Sequence, residues 1–79
     1  MNASAGLFDE VVEASGLAEV IAPFAISRLL VRAGVSPREL TREDLTRALP
    51  ELEQGLAVYL HGEELVRAVD ALRRLAGQR

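Results

Sequence analysis

From Leu7 onward the apolar residues Leu7, Phe8, Val11 and Val12 recur at one helical period, while Asp9, Glu10 and Glu13 take the opposite side. That pattern predicts an amphipathic first helix closed by Ser15-Gly16. The next stretch, LAEVIAPFAISRLLVRAG, has only Glu19, Ser27, Arg28 and Arg32 as polar residues, so the second helix is apolar over most of its circumference. Pro23 fits either a kink in it or its first turn, and Gly34 is placed as the residue just past its end.

Two start signals follow in quick succession. SPREL offers Ser36 as a cap, Pro37 at the first helical position and Glu39 three residues on, and TRED repeats the device with Thr41 and Asp44. Caps so close together predict a short helical turn, a change of direction near Leu40 and a fresh start. Leu45, Ala48, Leu49, Leu52, Leu56, Tyr59 and Leu60 then form one stripe that runs straight through Pro50. A proline there deletes a backbone hydrogen bond and presses on the carbonyl of Thr46, costing about 3 kcal/mol or more. The third helix is therefore expected to be kinked or restarted at Pro50, and the kink keeps the stripe in phase. Gly55 beside the stripe admits a close neighbouring backbone at about 1 kcal/mol of helix propensity. After His61-Gly62 a last helix is expected on Leu65, Val66, Val69, Leu72 and Leu75, ended by Gly77.

The fold class that results is all-α, a small bundle of about four helices forming one domain over residues 1–79. Composition sharpens this. Phe8, Phe24 and Tyr59 are the only aromatic residues, although 49% of the chain is hydrophobic, so the core is built from Leu, Val, Ile and Ala. A single core at 79 residues supplies only about 3 to 5 kcal/mol, and oligomerisation often adds the rest. Helix 2 carries more apolar surface than three small neighbours cover, and a surplus of that kind marks protein contacts.

Charge adds an asymmetry. Residues 1–22 hold Asp9, Glu10, Glu13 and Glu19 with no basic residue, while the rest of the chain holds nine arginines against eight acids. The acidic amphipathic segment 1–16 is accordingly either a bundle member or a detachable arm exchanged between subunits. Arg28 and Arg32 have no acidic partner one turn away and are expected to meet it. Glu43 with Arg47, Glu63 with Arg67 and Asp70 with Arg74 stand in the favourable acid-first order on helices. All nine basic residues are arginine, which fits a GC-rich bacterial genome.

Candidate chemistry is sparse. There is no cysteine, and the single histidine, His61, has no carboxylate at a metal-ligand spacing. No enzyme, cofactor or metal site is expected. A net charge of −3 leaves no electrostatic footprint for nucleic acid or anionic lipid. The start MNASAGLFDE lacks a basic leader, and the longest apolar run, Val20 to Ile26, is too short to span a bilayer, so a cytoplasmic protein is expected.

Two resemblances supply an alternative. RAGVSPRELTREDLTRAL resembles a helix-turn-helix, with Ala33-Gly34-Val35-Ser36 as the turn, which implies DNA binding through Arg38, Arg42 and Arg47. It departs from that pattern at Leu30, where a small residue is usual, and at Glu43, where an apolar one is. IAPFAISRLLVRAG resembles the opening helix of archaeal-type histones, which implies a long central helix and a basic surface. The leading expectation remains a non-enzymatic protein–protein interaction or assembly module, a small adaptor or regulatory subunit, with a homodimer as the first partner to consider. Its contact residues are Leu7, Phe8, Val11 and Val12 on the first helix, Phe24, Ile26, Arg28 and Arg32 on the second, and Leu56 and Tyr59 on the third.

Overall fold

The structure is a computed structural model that describes residues 6–77. Among these the chain forms four helices and no strand: α1 (Leu7–Ala14), α2 (Ala22–Arg32), α3 (Arg42–Tyr59) and α4 (Gly62–Leu75). They close into a ring in which α1 packs on α2, α2 on α3, α3 on α4 and α4 on α1. The acidic first helix packs on α2 and α4 of its own chain; residues 1–5 of the proposed arm lie outside the described residues.

Local chemistry sets the helix ends. Ser15 closes α1: its buried hydroxyl donates to the Val12 carbonyl at 2.7 Å and accepts from the Leu17 N–H at 3.2 Å. Pro23 occupies the first turn of α2, so it starts that helix instead of kinking it. At the other end the Val35 N–H bonds to the Leu30 carbonyl and the Gly34 N–H to the Val31 carbonyl, each at 2.9 Å. Gly34 supplies the left-handed φ of +80° that this double closure needs, and Val35 folds its side chain into the core. Thr41 caps α3, its hydroxyl accepting from the Asp44 N–H at 3.0 Å.

Three expectations are corrected by these elements. Residues 36–40 form a bend and turn instead of a helical turn, and α3 begins only at Arg42. Helix α3 runs unbroken through Pro50, so nothing restarts there. Pro50 stands on the exposed side, where water can serve the carbonyl that its missing N–H leaves unpaired. The expected face of α4 holds at Leu72, which is buried, and at Leu65, Val69 and Leu75, which are half-buried, but not at Val66, which is 67% exposed, and it lacked the buried Ala68.

Ile26, Leu30, Leu45, Leu52, Leu56, Leu72 and Val11 are the largest sealed side chains, so the deepest core is wholly aliphatic. Its tightest contact is at Gly55. A Cβ built there would lie 2.3 Å from Cδ2 and 2.9 Å from Cγ of Leu29, so the glycine admits a leucine side chain where a neighbouring backbone was expected. Across the α3–α4 hairpin, the Arg42 guanidinium donates to the Leu75 carbonyl at 2.7 Å, while the Thr46 hydroxyl lies 3.4 Å from the Ala76 carbonyl and makes its shorter bond, 3.0 Å, to the Arg42 carbonyl. The start of α3 thereby satisfies the Leu75 carbonyl, one of those that the end of α4 leaves open.

Candidate interaction surface

The ten contact residues expected from the sequence divide cleanly by burial. Val11, Ile26 and Leu56 are sealed in the core at 0% exposure and are absent from the surface of the folded chain. Leu7, Phe8 and Val12 are half-buried and pack against that core from α1. Phe24, Arg28, Arg32 and Tyr59 stand in solvent.

The exposed members gather on α2 and its border with α3. Starting the helical count at Pro23 places Ile21, Phe24, Arg28 and Val31 within one sector of about 80° on the outer side of α2. The backbone of Ile21 is already helical, and its carbonyl accepts from the Ala25 N–H at 2.9 Å, so this sector extends one residue before Ala22. Phe24 is 73% exposed, Val31 63% and Ile21 42%. Val20, Ile21, Val31 and Val58 are exposed apolar residues absent from the expected set. The signal for the α2 members was the 3-4-3 spacing of Ile21, Phe24, Arg28 and Val31, which becomes readable only once Pro23 is known to begin the helix. Nothing in the sequence singles out Val58.

Beside this sector lies an open groove of about 240 Å³, lined by Ala25, Arg28, Leu29, Arg32, Gly55, Val58 and Tyr59. Leu29 opposite Gly55 and Arg32 opposite Glu51 show that α2 and α3 run antiparallel. That register sets Val58 and Tyr59 level with Ile26 and Ala25.

Electrostatics around the groove differ from expectation. The Arg32 Nε lies 3.7 Å from a Glu51 carboxylate oxygen on α3, so it meets α3 and not the acidic first helix. Arg28 has no ion pair among the described residues, and neither do Asp9, Glu10, Glu13 and Glu19. The pairs Glu63–Arg67 and Asp70–Arg74 form as expected at 3.9 Å and 2.8 Å. Arg47 turns to Asp44 instead of Glu43, and Arg73 binds Glu53 across to α3 at 3.0 Å. The Arg47 hydrogen bond and charge, with help from Thr41, hold the Asp44 carboxyl below its usual range against a smaller opposing effect of desolvation.

The remaining candidates carry no constellation. His61 is exposed just before α4, and no group of three His, Cys, Asp or Glu residues could hold a metal ion among the described residues. Nine residues, 33–41, separate α2 from α3, more than the turn of a helix-turn-helix. Of the arginines such a motif would offer, Arg42 is bonded to Leu75 and Arg47 to Asp44. No helix among the described residues is long and apolar enough to cross a membrane. Compared with known proteins, the chain matches no family model, no curated protein and no solved structure.

Proposed function

We propose that this protein works by binding another polypeptide through the outer face of α2 and the adjoining α2–α3 groove, as a small non-enzymatic assembly or regulatory module in the cytoplasm. The observation that carries the reading is that α2 is apolar on two opposed faces. Its inner side, Ala22, Ala25, Ile26, Leu29 and Leu30, is buried in the bundle, while Phe24 on the outer side is 73% exposed. A phenylalanine held in water on a rigid helix forgoes roughly 1.5 to 3 kcal/mol of burial, which a docked partner recovers. Aromatic side chains fixed on regular structure are also the usual anchors of protein contacts.

The test is site-specific photo-crosslinking in cells. A benzophenone amino acid replaces Phe24 in one variant and the exposed Gln54, on the solvent side of α3, in another. Discrete covalent adducts with protein at position 24, and their absence at position 54, are expected. Equal or absent labelling at the two positions refutes the reading.

A further inference from the structure

We infer that the occupant of the outer α2 face is the same face of a second copy, packed antiparallel about a twofold axis level with Ile26. This rests on the proposed polypeptide-binding role and names its partner.

The argument begins with spacing. Ile21, Phe24, Arg28 and Val31 are separated by three, four and three residues, which is the seam pattern of paired helices and is also a palindrome. A twofold interface sets a surface against itself, so it needs a pattern that is complementary to its own reversal. Reversing this one about Ile26 places Ile21 against Val31 of the second copy and Phe24 against Arg28 of the second copy. Apolar meets apolar at both ends, and a guanidinium with no ion pair among the described residues meets the face of an exposed aromatic ring in the middle. Slipping the register by about one turn sets Arg28 against its own copy in one direction and Phe24 against its own copy in the other. Only the central register uses all four positions.

Charge agrees with the same orientation. Glu19 lies at the entry to α2 and has no ion pair among the described residues, whereas Arg32 lies at the exit with only a long contact to Glu51. Antiparallel packing carries Glu19 of each copy towards Arg32 of the other, and parallel packing would set like with like. Val58 and Tyr59, level with Ile26 and Ala25, flank the axis and widen the apolar area on the α3 side.

Sedimentation and light scattering of the purified chain should report a particle of twice the 8.6 kDa chain mass. Phe24→Lys places like charges face to face twice in the dimer and should raise the dissociation constant at least about tenfold, with helix content unchanged because the side chain is exposed. Adding Arg28→Glu to Phe24→Lys should bring the dimer back. Since the chain has no native cysteine, register is read directly by disulfides. In the dimer, residue 21 of one copy lies ten residues, roughly 15 Å, along the axis from residue 21 of the other, beyond the ~7 Å limit for a disulfide. Ile21→Cys and Val31→Cys should therefore each resist oxidation alone and cross-link when mixed. A monomeric wild type, a dimer indifferent to Phe24→Lys, or self-linking of Ile21→Cys overturns the inference. Photo-adducts to a foreign protein alone would sink it while leaving the polypeptide-binding role standing, and the absence of adducts at position 24 would remove both.

Discussion

Gly55→Ala is the substitution whose sign depends most directly on the packing described above. In the middle of α3 an alanine is favoured over glycine by about 0.8 to 1.0 kcal/mol, so helix propensity alone predicts a more stable protein. The space predicts the opposite. The added Cβ would lie 2.3 Å and 2.5 Å from the two methyls of Leu29 and 2.9 Å from its Cγ, so rotating a tip does not relieve the clash. Leu29 is 7% exposed and has to leave its seat, an overpacking cost of about 1 to 3 kcal/mol. The net effect is a loss of about 0 to 2 kcal/mol, or up to ~16 °C in melting temperature for a domain of this size. The decisive comparison is made in a Leu29→Ala background. That substitution costs about 2 to 5 kcal/mol by itself and empties the space over residue 55. Gly55→Ala should then stabilise by about 1 kcal/mol, reversing its sign. Urea unfolding of the four proteins at one chain concentration gives the coupling, expected at about 1 to 3 kcal/mol. An alanine at 55 that has the same effect with and without the Leu29 side chain would refute the contact between α2 and α3 on which the groove depends.

Other consequences are simpler to read. Pro50→Ala restores a backbone donor in an unbroken helix at an exposed position and should stabilise by roughly 1 to 3 kcal/mol in chemical denaturation. Thr41→Ala removes the cap of α3 and should cost about 1 kcal/mol by the same measurement. Because the folded Asp44 carboxyl lies below its ordinary 3.8, its contribution is fully present above that pH and is lost as pH falls through the lower, folded value. Asp44→Asn should therefore flatten the dependence of stability on pH below about 4 without changing it near neutrality. Arg42→Ala frees the Leu75 carbonyl and should cost about 1 kcal/mol, with faster amide exchange confined to the last turn of α4.

How much of this was legible without coordinates depended on whether the cause was local. Gly34, Thr41 and Gly77 end or begin helices through bonds to residues within one turn, and each stands where the sequence places it. SPREL carries the same local signals yet makes only a turn, because the capped start at Thr41 takes over the chain. The exposure of Val66 and the burial of Ala68 on α4 escape the sequence for a tertiary reason. The valines at 66 and 69 outrank Ala68 in hydrophobicity, but close approach to α3 and α1 selects the small residue, leaving Val66 outside. Among the contact residues, apolar character alone could not separate Ile26 from Phe24, two positions apart on one helix. They stand about 200° apart on any helix, and which of the two is buried is set by the packing of α2 on α1 and α3, which no local signal carries. The partner of Arg32 is Glu51, nineteen positions away on another helix, beyond the reach of any periodicity.

The distribution of the three aromatic residues bears on why α2 presents its outer face at all. An aromatic side chain removes about 150 to 250 Å² from water when buried, and aromatics dominate core energetics where they are buried. A 79-residue chain with a marginal core would gain most by placing its aromatics inside. Here Phe8 is only half-buried, and Phe24 and Tyr59 are 73% and 49% exposed. The inner face of α2 is meanwhile locked by Ile26 and Leu30, both at 0% exposure, and by Leu29 seated over Gly55. The outer face is consequently held on a helix that cannot rotate or shift without unpacking the bundle. Docking onto it orders little beyond a few side chains, so the cost of association stays low even for a small contact. Stability withheld from the isolated fold would in this way be available to the proposed assembly, and one helix could serve both because its two apolar faces do not compete for one core.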